Sequence, residues 1–437
     1  MQAEVTLESS AVRKGEPEQK KDRLKQAEQL FVIVVFLFFA QAFFPFFQAG
    51  QMESVAEGNS LLQMIWIVIY GIAAVLLMVH AKSARAILDR DKLSLALLLM
   101  VLLSVLWSAA PDITLRRAVA FLGTNLVAIY IAARFTMREL FHLVVNALLI
   151  GALCSLFVAV LLPDKGVMLH EGSNAWRGIF SHKNQLGRLM CLGAILSLIA
   201  ALTQQWPRWI ALGGFALCTT LLFMSGSRTA FVVFAFLLLA IPVLCTFRWS
   251  PYLQLLIWMS VCFALTAFVL LVIPHAEGLL ASLGRDLTLT GRTELWSIVA
   301  ELLRERLWLG YGYSGFWLGW EGDSSYVWMV SMWEPPNAHN GFLDAAVELG
   351  LIGLAIVLLS FVQRIVKAQY WLKRNRWEGL WPQLFLIYLV LCNLTETTLI
   401  DHNSFFWTLF LVLGFLLPGK YQTEQKRRTK ASAGLEG

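Results

Sequence analysis

The sequence is poor in charge. Asp, Glu, Lys and Arg make up 15% of the 437 residues, whereas hydrophobic residues make up 58%. Soluble domains carry about 25% charged residues. Because so few charged groups cannot cover a water-exposed surface, a soluble fold is excluded and an all-α polytopic membrane protein is predicted. The net charge of +6 is not gathered on a soluble module, so nucleic acid is not expected as a partner.

Signatures of metal and nucleotide chemistry are also missing. The six cysteines fall within apolar runs without metal-ligand spacing, so they are interpreted as packing residues. There is no nucleotide-binding loop and no His-Glu-x-x-His. We recognise no Asp-x-Asp motif, the acidic pair with which many sugar-nucleotide transferases hold a divalent metal. We therefore expect neither a metal nor a cofactor. The first apolar run, after the polar residues 1–27, is too long for a signal peptide, so no cleavable signal is expected.

About twelve apolar runs are long enough to cross a bilayer as helices. They lie near Leu30–Phe47, Leu61–His80, Leu93–Ala109, Ala118–Arg134, Leu140–Leu162, Gln185–Leu202, Trp209–Met224, Thr229–Phe247, Tyr252–Pro274, Gly341–Val362, Leu380–Leu394 and Ser404–Leu417. The predicted organisation is a tail at 1–27, transmembrane helices 1–9 over 28–274, one large extracytoplasmic loop at 275–340 carrying short surface helices, transmembrane helices 10–12 over 341–418, and a tail at 419–437.

The basic residues predict the orientation of these helices. With twelve spans, most of the basic segments fall on one side of the membrane, including Lys82–Lys92, Arg364–Arg376 and both tails. The positive-inside rule makes that side cytoplasmic, with both termini inside. The loop at 275–340 then lies outside.

The outer face nevertheless carries short basic clusters where topology disfavours them. They comprise Arg116, Arg117, Arg177, His182, Lys183, Arg228 and Arg292. An anionic ligand is the simplest reason for them. Lys183 and Arg188 lie on the first turns of a predicted helix, whose amides also attract anions. The alternative for Lys183 is a snorkelling side chain on a capped helix. Arg188 argues against that alternative, because it lies a full turn inside the apolar run, where a charge needs a partner.

Two of the outer arginines have structural alternatives of their own. Arg228 follows the tight turn Ser225–Ser227 and is left at the boundary of the bilayer, so it is either a ligand for an anion or an interface anchor. Arg292 precedes a predicted helix, and its alternative is a salt bridge to Glu294 or Asp286.

The helix after Arg292 is predicted over Glu294–Leu307. We expect it to lie along the membrane surface. The residues predicted to face lipid are Trp296, Leu303 and Leu307.

His339 lies where the large loop re-enters the membrane. A neutral imidazole at this place is suited to take a proton from a hydroxyl near neutral pH. Asp344 and Glu348 follow on one helix face that points inward. The alternative is a helix-capping histidine, with a buried acidic pair that partners Arg188 or Arg228.

Taken together, these segments resemble the bacterial O-antigen ligase and polysaccharide polymerase superfamily, and within it the ExoQ-like exopolysaccharide polymerases. The resemblance covers nearly the whole chain, with its twelve spans, inner termini and large outer loop before the third-last span. The motifs that support it are Trp107–Ser108, Leu115–Arg117, Arg177–Asn184, Ser227–Ala230, Gly291–Arg292 with Trp296, and His339–Gly341.

The resemblance implies a metal-independent, inverting glycosyl transfer in the bacterial inner membrane, with the active site on the periplasmic face. The donor would be a glycan linked to undecaprenyl diphosphate. Arg228 and Arg292 would bind the diphosphate, and His339 would act as general base or orient the acceptor hydroxyl. Further candidates for substrate binding are Arg116, Arg117, Arg177, Lys183, Arg188 and Asn340.

The resemblance leaves the acceptor open. A polymerase uses an acceptor glycan on a second lipid, with a chain-length regulator as a further partner, whereas a ligase uses the lipid A–core oligosaccharide. The segment His182–Asn184 favours a polymerase. A transporter or flippase of the same lipid-linked oligosaccharide is the second alternative, and the lipid bilayer is a partner in every case. A transporter should show charges deep in several helices and an inward-facing counterpart of the site, and neither is visible.

Overall fold

The computed structural model describes residues 16–47, 60–170, 173–246, 292–374 and 379–417. The predicted span Tyr252–Pro274, the first part of the large loop up to residue 291 and the tail at 419–437 lie outside the described residues. The helices are α1 (Glu16–Phe39), α2 (Phe44–Phe47), α3 (Ser60–Val79), α4 (Ala81–Leu88), α5 (Lys92–Leu103), α6 (Pro111–Arg134), α7 (Met137–Leu161), α8 (Pro163–Gly166), α9 (Lys183–Thr203), α10 (Arg208–Met224), α11 (Arg228–Thr246), α12 (Arg292–Glu305), α13 (Ser324–Ser331), α14 (Gly341–Arg374), α15 (Leu380–Asn393) and α16 (Phe405–Leu416).

Within the described residues each predicted span but the first coincides with a helix; the span Leu30–Phe47 is broken, because α1 ends at Phe39 and a turn with positive φ at Gln41 and Phe43 precedes α2. Six helices, α3, α6, α7, α9, α11 and α14, are long and apolar enough to cross a membrane. Helices α5, α10, α15 and α16 are apolar but shorter. One extended apolar core runs through this bundle. The prediction of a mostly helical polytopic membrane protein is confirmed at this level, while the number of spans and the extent of the outer loop stay predictions.

A β-hairpin between α8 and α9 is an exception to the all-α prediction. Strand β1 (Val167–His170) pairs antiparallel with β2 (Ser173–Trp176). The chain then turns at Gly178, whose φ is +58°. A Cβ at that glycine would lie 2.3 Å from Cβ of Ser155, so only glycine fits the turn that leads into α9.

Helix α14 is broken at Gly350, where φ is +66° and ψ is −173°. The break leaves carbonyls without intrahelical partners, and the outer loop supplies donors to them: Tyr311 N donates to Val347 O at 2.9 Å. A Cβ at Gly350 would lie 2.1 Å from the carbonyl oxygen of Trp308. The loop is thereby docked against the outer part of α14.

Helix α12 packs on protein. Leu295 and Val299 are fully buried, and Leu303 is 8% exposed. The indole nitrogen of Trp296 donates to Ala338 O at 2.8 Å. The prediction that Trp296 and Leu303 face lipid is therefore wrong, because the outer loop forms its own small core. That core contains Leu295, Ile298, Val299, Leu302, Tyr311, Phe316, Trp317, Val327, Ala338 and Val347.

A buried ion pair connects α5, α14 and α16. Arg364, which the orientation argument treats as a cytoplasmic marker, is 0% exposed. Its guanidinium donates to Asp91 Oδ2 at 2.5 Å, to Ser94 Oγ at 2.7 Å and to Phe410 O at 2.9 Å. Asp89 and Asp91 do have Asp-x-Asp spacing, but the carboxylate of Asp91 is committed to this pair.

Candidate functional site

Five of the described helices begin at a basic residue, and three of these residues line one cavity of about 660 Å³. Helix α9 begins at Lys183, α11 at Arg228 and α12 at Arg292. A cation at a helix N-terminus opposes the positive end of the macrodipole, which typically costs about 0.3–1 kcal/mol. An anion in the cavity would reverse that cost, because the three cations would attract it together. We call this the arginine cavity.

The turn before α11 presents Arg228 to the arginine cavity. Gly226 has φ +61°, and Ser225 is buried, with Oγ accepting from Ser227 N at 3.2 Å. Arg228 itself is exposed, and the described part of the chain shows no ion pair to it. Its charge is therefore available to a ligand.

The partner of Arg292 is Glu396, in the segment between α15 and α16. Arg292 Nη2 lies 3.7 Å from Glu396 Oε1, and Nη1 donates to Thr395 O at 2.5 Å. The alternative of a salt bridge to Glu294 is therefore wrong, and Asp286 lies outside the described residues. Sequence reasoning missed Glu396 as a site residue. The available signal was an acid placed directly after an apolar run on the predicted outer face.

Glu396 connects two of the predicted site residues, Arg292 and His339. It accepts from Asn184 Nδ2 at 3.3 Å, and its Oε2 lies 3.9 Å from His339 Nδ1, an ion-pair distance longer than a hydrogen bond. Burial raises the pKa of Glu396, but His339 and the charges of Arg188 and Arg292 outweigh it and hold that pKa below its ordinary value. The carboxylate is therefore ionised at neutral pH and lines the arginine cavity.

His339 is held in a left-handed conformation next to this carboxylate. Its φ is +49°, its amide donates to Asn337 Oδ1 at 2.9 Å, and its ring stacks on Trp333 with centroids 5.9 Å apart. Helix α14 is capped by Asn340, whose Oδ1 accepts from two amides of the next turn at 3.1 and 3.2 Å. Helix capping is thus the role of Asn340, and the imidazole of His339 is left for another role. His339 does not line the arginine cavity itself and reaches it through Glu396.

Arg188 points towards the same region from inside α9. Its charge lowers the pKa of both Glu396 and Asp401. Its Nε and Nη1 are buried and have no hydrogen-bond partner among the described residues. Buried guanidinium nitrogens are normally satisfied, so this side chain retains capacity for an acceptor.

Asp344 is a positioning residue for the loop that carries His339. It is 5% exposed, and its Oδ1 accepts from Trp317 Nε1 at 2.7 Å and from Ala338 N at 3.0 Å. Thr397 Oγ1 donates to its other oxygen. These contacts contradict the alternative in which Asp344 pairs with Arg188 or Arg228.

Three further predicted residues, Arg116, Arg117 and Arg177, do not line the arginine cavity. Arg117 lines a second, smaller cavity. Arg177 donates from Nε to Lys165 O at 2.7 Å, next to the β-hairpin. Arg116 is exposed. Neither Arg116 nor Arg177 lines the arginine cavity or the smaller one, so their binding role stays a prediction.

Two comparisons with known proteins bear on this site. Residues 213–358 match the Wzy_C family, described as O-antigen ligase. The exopolysaccharide production protein ExoQ of Rhizobium meliloti is 26% identical over 269 residues, which make up 60% of this chain and 61% of ExoQ. The match therefore spans about three fifths of the length of that relative. The resemblance to the O-antigen ligase and polysaccharide polymerase superfamily is confirmed. The Wzy_C match includes Arg228, Arg292 and His339 but not Glu396.

Proposed function

We propose that this protein is a cell-surface polysaccharide polymerase of the bacterial inner membrane. It transfers a glycan from undecaprenyl diphosphate to a sugar hydroxyl of an acceptor glycan on the periplasmic face. The observation that carries this proposal is the arginine cavity, in which Lys183, Arg228 and Arg292 each begin a helix. A diphosphate has the negative charge that such a cavity favours. Its oxygens can accept bidentate hydrogen bonds from guanidinium groups. The similarity to ExoQ, an exopolysaccharide production protein, supports a role in making a cell-surface polysaccharide.

In the proposed reaction the acceptor hydroxyl oxygen attacks the anomeric carbon of the donor sugar. The bond between that carbon and the diphosphate oxygen breaks, and the configuration at the carbon inverts. The hydroxyl proton passes to His339, whose Nδ1 faces Glu396 and whose Nε2 is the nitrogen left to accept it. Arg228 and Arg292 stabilise the charge that develops on the leaving diphosphate. Because arginines supply this positive charge, the scheme needs no metal.

The site chemistry fits a second candidate, an O-antigen ligase that uses the same donor and transfers it to the lipid A–core oligosaccharide; the Wzy_C match favours it. Mass-resolved analysis of lipid-linked glycans after deletion of the gene separates the two. Single repeat units should accumulate if the protein is a polymerase, whereas full-length chains should accumulate if it is a ligase. A transporter is a third candidate. Formation of a new glycosidic bond by purified protein in detergent would exclude it, because detergent micelles have no second compartment.

Variants of Arg228 and His339 test the assigned roles. Arg228→Ala should weaken donor binding and slow turnover, and Arg228→Lys should rescue only partly, because a lysine keeps the charge but not the two-pronged geometry. His339→Ala should slow turnover by about 10²–10⁴-fold through lost proton transfer, with donor binding retained. Turnover is normalised to folded protein.

Arg208 offers a matched control for Arg228. It is also exposed and also begins a helix, α10, but it is predicted to lie on the cytoplasmic side. Arg208→Ala should leave donor affinity and turnover unchanged. Equal losses for the alanine variants at 208 and 228 would point to general destabilisation. Normal turnover of well-folded His339→Ala would remove the histidine from the mechanism.

A further inference from the structure

A second cavity of about 300 Å³ lies beside the arginine cavity and has a different lining. One part of its wall is formed by Trp317, Trp328, Pro335 and Pro336. Another part is formed by Arg117, Glu348 and Asp401. We call this the acidic aromatic cavity. Its volume lies at the lower end of the range of about 300–1,000 Å³ for small-ligand pockets, so it suits one or two sugar rings.

The two cavities meet at the segment between α15 and α16. Glu396 lines the arginine cavity, and the next residue, Thr397, lines the acidic aromatic cavity. Asn337 also lines the acidic aromatic cavity, and its Oδ1 accepts from the amide of His339 at 2.9 Å. A group held in the second cavity would therefore lie close to the segment that carries the histidine.

The aromatic side chains present their rings to the acidic aromatic cavity. The indole nitrogen of Trp317 donates to Asp344 at 2.7 Å, and that of Trp328 donates to Pro335 O at 3.0 Å. Since both N–H groups are already used, the faces and edges of the rings are what a ligand meets. Such surfaces suit the C–H faces of a sugar ring.

The polar side chains can form hydrogen bonds with the hydroxyl groups of a ligand but disfavour an anion. Glu348 and Asp401 offer acceptor oxygens, and Arg117 offers donors. Of the Asp401 side chain, 43% is exposed, yet burial raises its pKa to about 7 against the lowering effects of Arg117 and Arg188. Asp401 lines the narrow cavity, where water solvates a charge less well than bulk water does. An exposed side chain and a raised pKa are therefore compatible. Asp344 also lines the cavity, so three carboxyl groups against one guanidinium leave no surplus positive charge for an acidic sugar.

Resting on the function proposed above, we propose that the acidic aromatic cavity binds the terminal ring of the acceptor glycan, and that this ring is an uncharged, hydroxyl-rich sugar and not a uronic acid. The donor diphosphate and the acceptor ring would then occupy separate cavities of opposite charge preference. The segments that carry His339 and Glu396 lie between them. This arrangement keeps the donor anion away from the acceptor site and assigns each substrate its own residues.

Saturation-transfer NMR on the full-length protein in detergent tests this assignment. The probes are cellobiose, maltose and lactose as uncharged disaccharides, and glucuronic acid as the acidic sugar. At least one disaccharide should receive saturation from the protein, whereas glucuronic acid should not. Trp328→Ala and Asp401→Ala should each weaken the binding about fivefold, as expected for loss of one ring contact or one hydrogen-bonding group.

Matched controls come from the same predicted outer face. Trp308 is 64% exposed and Asp112 is exposed in the first turn of α6, and neither lines the cavity. The alanine variants at these two positions should bind the disaccharide as the unaltered protein does. The proposal is overturned if none of the three disaccharides binds, if the cavity variants and the controls behave alike, or if glucuronic acid binds equally well.

Geranylgeranyl diphosphate serves as a separate probe of the arginine cavity. It should bind to Trp328→Ala and Asp401→Ala as it binds to the unaltered protein, which shows that these variants are folded. Arg228→Ala should lose it while keeping the disaccharide. If the diphosphate fails to bind the unaltered protein, the proposed function fails, and the sugar-binding result still decides the role of the second cavity by itself.

Discussion

Replacement of Glu396 by glutamine should separate donor binding from proton transfer. The carboxylate lies 3.7 Å from Arg292 and 3.9 Å from His339, and its side chain is 13% exposed. At about 4 Å and an effective dielectric constant of about 20, each pair of unit charges interacts by about 4 kcal/mol. Solvent at the partly exposed Arg292 and His339 reduces that value. Glutamine keeps the size of the side chain and an oxygen for Asn184, so the change is mainly one of charge.

The two consequences of this change have opposite signs. A negative charge is removed from the cavity that has to hold a diphosphate, so the donor should bind about tenfold more tightly, a gain of about 1.4 kcal/mol. The imidazolium that forms on His339 loses the carboxylate that stabilises it, so kcat should fall by about 10²-fold. Both changes are smaller than the full Coulomb energy because solvent and relaxation screen it.

The assay combines donor titration with turnover at saturating acceptor, both normalised to folded protein. Glu294→Gln is the control, because Glu294 is an exposed acid two residues from Arg292 on the same helix. It should change neither quantity. If donor affinity and kcat of Glu396→Gln fall together, the carboxylate only holds the arginine and histidine in place. If neither changes, Glu396 has no part in the reaction.

Three further outcomes are expected. Reporter fusions after Gly322 and after Arg374 should give opposite signals, outside and inside, and equal signals would contradict the orientation. Turnover should be unchanged in excess chelator, because arginines supply the positive charge; a loss restored by magnesium would count against the mechanism. Arg364→Ala should lower the free energy of unfolding by about 3–5 kcal/mol, since it leaves Asp91 as a buried unpaired charge. Arg364→Met combined with Asp91→Leu should recover most of that loss in thermal unfolding, and no recovery would show that packing rather than charge is responsible.

The helices could be predicted because their signal is local. A run of about 20 apolar residues has few structures open to it in a bilayer, and every backbone polar group must be satisfied within the helix. The break at Gly350 and the hairpin after α8 could not be predicted in the same way. Both depend on what the chain meets elsewhere: the carbonyl of Trp308 in one case and the side chain of Ser155 in the other.

Arg364 shows what the charge pattern leaves out. Its position among other basic residues predicts a cytoplasmic segment, and the structure adds that the side chain is buried in an ion pair with Asp91, 273 positions away in the chain. The prediction that Trp296 and Leu303 face lipid failed for a related reason. An apolar helix face looks the same in sequence whether lipid or protein covers it.

The sequence by itself determined the membrane setting and identified the cations that are predicted to lie outside. Hydropathy and the side preference of basic residues are properties of each segment alone, so Arg228, Arg292 and His339 could be singled out without a structure. Only the tertiary structure decided which of these residues share a site. It brings the starts of three helices to one cavity and places Glu396, which no local pattern connects to them, between Arg292 and His339. The physical reason is that a charge pair forms across space, between segments whose separation along the chain carries no information about their distance.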